Sequence, residues 1–100
     1  MTETQINTIL KEIKVEQQIS PYFDDSALTN YIKEGEYDIN KAVGEKINYD
    51  DDLEARSLLK NYVLYSNHKR LAEFKELYGG DYAELQIKYN RDTNVSWWQI

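Results

Sequence analysis

A chain of 100 residues with a net charge of −6, one proline and no cysteine has the size of one small domain. Without cysteine it has no disulfide framework, no thiolate zinc site and no cysteine nucleophile. Its 41% hydrophobic and 30% charged residues belong to a globular chain, no apolar run approaches the ~20 residues of a membrane span, and the polar opening segment does not read as a signal peptide.

The pattern along the chain predicts an all-α fold, a small bundle of four helices over residues 1–90 followed by an extended C-terminal arm over 91–100. The first helix covers about 3–14: Ile6, Ile9, Leu10 and Ile13 recur with helical period. Thr2 with Gln5 fits a capping box, and Ser20-Pro21 breaks the chain because the residue before proline avoids the helical region.

The second helix covers 25–43, with Asp24 and Asp25 at its positive end and Gly44 where a left-handed cap belongs. Leu28, Ile32, Ile39, Ala42 and Val43 mark its buried face. Gly35, costly inside a helix, marks a close helix approach or a bend.

The third helix starts after Asp50-Asp51-Asp52, with Asp51 and Glu54 as a second capping box. Ala55, Leu58, Leu59, Tyr62, Val63 and Ser66 follow one face. The pattern continues to Leu71, Phe74 and Leu77, with a possible break near Asn67-His68, until Gly79-Gly80 ends it. A short fourth helix over about 81–89 is capped by Asp81 and turns Tyr82, Leu85 and Tyr89 inward. The predicted core is Ile9, Leu10, Ile13, Leu28, Ile32, Ile39, Leu58, Leu59, Tyr62, Val63 and Phe74.

Charge is unevenly distributed. Residues 24–54 carry a net −7 and residues 55–75 a net +4. Two solvated helix faces account for this simply. The sharper expectation is a head-to-tail contact between copies, in which Arg56, Lys60, Lys69 and Arg70 face Glu34, Glu36, Asp38 and Glu45 of a neighbour, because charge complementarity sets orientation and specificity. Val95, Trp97, Trp98 and Ile100 follow a polar stretch and read either as a completion of the core or as an arm that docks on a neighbour. Large aromatics are the usual anchors of interfaces.

The residues point to no catalytic chemistry. His68 is the only histidine, and no carboxylate lies three or four positions away to form a metal pair. The serines lack a nucleophile elbow, and Asp50–Asp52 lacks the alternating acids, the glycine and the final glutamate of a calcium loop. Gly79-Gly80 is not a phosphate-binding loop. The expectation is a protein that is not an enzyme and takes no cofactor, metal or small-molecule substrate.

The stretches "DDSALTNYIKEGEYDINKAVG" and "DDDLEARSLLKNYVLYSNHKRLAEF" resemble the phage head–tail connector (adaptor) family. Leu58-Leu59, Tyr62-Val63 and Tyr65 match its leucine pair and Y-V-x-Y run, and Phe74, Tyr78 and "DYAELQIKY" match its closing aromatic and short helix. The resemblance covers residues 3–89 and implies a small helical virion protein that forms a ring under the portal, with the portal's twelve-fold symmetry. Such a ring extends the DNA channel and docks the next neck or tail-completion protein. DNA is then only cargo, and the protein works in the virion neck after assembly in the host cytoplasm. Negative channel walls repel phosphate, which lets DNA pass without sticking. Two other readings stand beside it. A small acidic protein can mimic DNA and inhibit a host nucleic-acid enzyme, although the +4 segment works against mimicry. A helix-turn-helix regulator would need a basic recognition surface, and "EFKELYGGDYAEL" is not one.

Overall fold

Five helices form the described part of the chain in the computed structural model, which describes residues 1–90: α1 Glu3–Glu16, α2 Asp25–Val43, α3 Leu53–Asn67, α4 Leu71–Leu77 and α5 Gly79–Asn90. No strand occurs among the described residues. The predicted all-α class holds, but the bundle has five helices rather than four. The arm read at 91–100 lies outside the described residues.

Local signals account for most helix ends. The Thr2 hydroxyl accepts from the Gln5 backbone N–H at 3.1 Å, while the Thr2 N–H donates to the Gln5 side chain at 2.9 Å. Two first-turn donors are thereby satisfied. Asp24 caps α2 by accepting from the Ser26 N–H at 2.9 Å. Gly44 closes it in the left-handed conformation, φ 74°, where a Cβ would crowd the backbone. The third cap differs from expectation: Asp52, not Asp51, caps α3, accepting from the Ala55 N–H at 3.0 Å. A carboxylate satisfies the first turn from the position immediately before the helix, and that position is 52.

The break expected near Asn67-His68 is present: α3 ends at Asn67, Lys69 adopts φ 59° and the Arg70 N–H reaches back to the Tyr65 carbonyl at 2.8 Å. That bond reverses the chain without a glycine. Gly79 and Gly80 do not stop a helix; they are the first two residues of α5, and neither has positive φ. α5 therefore follows α4 after a single residue, Tyr78.

Paired contacts fix the arrangement. α2 and α3 pack antiparallel as the central pair, drawn together at Gly35, where Leu59 and Tyr62 of α3 come too close to leave room for a Cβ. On one side lies α1, parallel to α3: Gln5 meets Asp50 at 2.7 Å and the Lys60 Nζ meets Glu16 at 2.9 Å. On the other lies α5, parallel to α2, with the Tyr82 hydroxyl on Asp38 at 2.6 Å and the Gln86 amide on the Ala42 carbonyl at 3.0 Å. Every residue of the predicted core is buried, and Ile6, Val43, Ile47, Tyr49, Ala55 and Leu85 join it. Ile47 and Tyr49 belong to the loop between α2 and α3. Asn40 holds that loop, accepting from the Tyr49 hydroxyl at 2.9 Å and the Ile47 N–H at 3.4 Å.

Candidate interaction surfaces

The fold distributes the eight predicted contact residues unequally. Arg56 and Lys60 point at α1 of their own chain. The Arg56 guanidinium holds Glu12 with two nitrogens, Nε at 3.1 Å from Oε1, and reaches Asp50 at 3.4 Å. Lys60 meets Glu12 at 2.6 Å and Glu16 at 2.9 Å. Glu36 pairs with the Met1 amine and Asp38 with Lys75. Arg70 pairs with Glu73 one turn on, at 2.7 Å, in an exposed and correspondingly weak pair. Glu34, Glu45 and Lys69 are exposed and form no ion pair among the described residues. The sequence could not distinguish these cases, because the partners of Arg56 and Lys60 lie about one whole helix pair away along the chain.

The internal pairs shift the titration of the carboxyl groups they hold. The Arg56 and Lys60 side chains hold the Glu12 carboxyl below its ordinary range, more than offsetting partial burial. Burial would raise Asp38 and Asp52, but hydrogen bonds win. Lys75 and Tyr82 lower Asp38, while Tyr89, the Ala55 N–H and Lys88 lower Asp52. The phenols of Tyr49, Tyr82 and Tyr89 are pushed up, by burial first and by the neighbouring carboxylates second. They therefore serve as neutral donors throughout the physiological range.

An acid prediction follows. Carboxyl groups with depressed native values make the unfolded state bind more protons in acid. Their stabilisation is complete above their unfolded range, near pH 4, and disappears as pH falls through the lowered native values. The urea midpoint should therefore fall between about pH 4.5 and pH 2, and Asp38→Asn should make that fall shallower. A midpoint constant across this interval would show that these pairs contribute nothing.

A second surface is a groove of about 400 Å³ between α3 and α5. These helices flank α2 without packing closely on one another, so a channel remains. Leu58, Tyr78 and Leu85 give it an apolar floor, and the exposed Glu54, Asp81 and Glu84 give it an acidic rim with no basic residue in the lining. Leu53 is 71% exposed at its mouth. The sequence places Glu54, Leu58 and Asn61 on one helix face, but nothing in it reveals the opposite wall, which depends on the direction of α5. Tyr37, Leu77 and Ile87 are further exposed apolar side chains, scattered singly as on ordinary soluble surfaces.

Among the described residues no group of three His, Cys, Asp or Glu is placed to hold a metal ion. His68 is exposed in the turn after α3. No described helix is long and apolar enough to cross a membrane. No family model, curated protein or solved structure shows significant similarity to this chain.

Proposed function

We propose that this chain is a structural subunit of the neck of a tailed phage. As a head–tail connector, or adaptor, it assembles into a ring below the portal, extends the DNA channel and docks the next neck or tail protein. The reading draws on the connector-like sequence across residues 3–89. The observation that carries it is the placement of charge at the two ends of α3. Beside its N-terminus stand the exposed Glu45, Asp51 and Glu54 against Lys46, while Lys88 pairs with the capping Asp52. Beyond its C-terminus stand Lys69 and Arg70 against Glu73. The 15 residues of α3 separate these ends by about 22 Å. An acidic end and a basic end on opposite sides of one subunit suit a heterologous contact, the kind that closes rings. Glu45, Lys69 and Arg70 therefore belong to that contact, whereas Glu34 stands midway along α2 and Arg56, Lys60, Glu36 and Asp38 are engaged within the subunit.

Light scattering of the purified chain, alone and with the phage portal protein, tests this. A large closed ring that loosens with salt is the expected result, because exposed pairs are screened. Lys69→Glu with Arg70→Glu should abolish it while helical content stays intact. A chain that stays monomeric at every concentration and in the presence of portal would end the connector reading.

A further inference from the structure

The groove between α3 and α5 has exposed residues on both walls, Leu53, Glu54 and Ser57 facing Asp81 and Glu84, and the described chain stops beside one end of it. Tyr89 donates its hydroxyl to Asp52, and the Lys88 Nζ lies 3.1 Å from the same carboxylate. The C-terminus of α5 is thus held against the residue that immediately precedes Leu53, the mouth of the groove. We propose that this groove is the seat of segment 91–100 of the same chain.

Length, direction and chemistry carry the assignment. The groove follows α3 from Leu53 to Asn61, a rise of about 12 Å. Ten residues of extended chain reach at most about 35 Å, and Trp97, seven residues past Asn90, reaches about 24 Å. Either tryptophan can therefore arrive anywhere on the floor from where α5 ends. The segment carries Val95, Trp97, Trp98 and Ile100, the apolar surface that a floor of leucines and a tyrosine ring would cover. Indole is apolar with a single N–H donor and no acceptor. The rim supplies acceptors, the carboxylates of Glu54, Asp81 and Glu84. Arg91 and Asp92 cancel in charge, so the match of the segment to the acidic rim rests on the indole N–H donors and not on net charge. Attachment to α5 keeps the segment at high effective concentration over the groove, which favours its own subunit over a neighbour. This assignment is independent of ring formation.

Both tryptophans of the protein lie in this segment, so tryptophan emission, excited at the red edge where the nine tyrosines do not absorb, reports on it alone. In the full chain, at concentrations where sedimentation finds single subunits, emission should be blue-shifted and acrylamide quenching several-fold weaker than for free tryptophan amide. Leu53→Glu with Ser57→Glu changes two exposed groove residues and leaves the core untouched. It should restore free quenching with the helical circular dichroism unchanged. Because the chain has no cysteine, Ser57→Cys with Ser96→Cys gives a second readout: oxidation should yield a disulfide within one chain on a non-reducing gel. Three results would overturn the seat: tryptophans as quenchable as the free amide, quenching indifferent to the groove changes, or crosslinks and protection found only between associated chains. A failed ring with protected tryptophans would refute the connector reading and leave the seat standing.

Discussion

Phe74→Ala should lose about 3–5 kcal/mol, the range for removing a fully buried phenylalanine. The ring is wholly buried and is the hub of an aromatic cluster. It stands edge-on to Tyr62 at 5.4 Å and to Tyr82 at 6.0 Å, stacks on Tyr78 at 4.9 Å, and tilts against Tyr65 at 5.8 Å. These rings come from α3, the α4–α5 junction and α5, so one side chain ties three segments together. α4 has little else to hold it: seven residues long, it has no side-chain cap, and Phe74 is its only buried residue. A helix that short is not stable by itself in water. The truncation therefore removes aromatic contacts, leaves a cavity among four tyrosines and releases the anchor of α4. Domains of this size have about 5–15 kcal/mol in total, so the variant should sit near its unfolding threshold. Urea melts give the loss, and amide exchange in residues 71–77 should accelerate beyond that in α2. A loss below about 1 kcal/mol would mean that α4 is held by contacts other than this ring.

Gly35→Val is the second large effect, and here two terms oppose each other. Glycine inside a helix costs about 1 kcal/mol relative to alanine, so a side chain at position 35 should help α2 locally. Packing outweighs that gain. A Cβ at Gly35 would stand 2.6 Å from Leu59 Cδ1 and 2.9 Å from Tyr62 Cδ1. Leu59 is fully buried, and Tyr62 is fixed edge-on against Phe74, so neither can swing aside into solvent. Alanine therefore sets its propensity gain against an overpacking cost of about 1–3 kcal/mol. Valine adds two more methyl groups and recovers less propensity, so the net loss should reach about 3 kcal/mol. The expected order in urea is glycine, then alanine, then valine. A valine variant as stable as the parent would show that α2 and α3 can separate at no cost.

What the sequence by itself determined is what acts within a turn or along one helix face. The Thr2–Gln5 box, the Asp24 cap and the left-handed Gly44 are interactions over two to four residues, complete in the local text of the chain. The period of Ile6, Ile9, Leu10 and Ile13, like that of the leucines and aromatics of α3, identified buried faces because burial follows helical geometry. Tertiary structure decided the rest, for reasons of distance. The break near Asn67-His68 is legible in the sequence, but not the left-handed Lys69 that makes it, and Gly79-Gly80 enter α5 because Phe74 and Leu85 hold both flanking segments on the core. Ile47 and Tyr49 are buried from a loop without period, because Asn40 of α2 receives them. Arg56 and Lys60 turn inward to Glu12 and Glu16, while Lys69, Arg70 and Lys75 of the same segment stay exposed. The α3–α5 groove exists only because α5 runs parallel to α2 and leaves the flank of α3 uncovered. Each of these depends on partners more than a helix away in sequence, where local preference carries no information and only the packed chain selects the pairing.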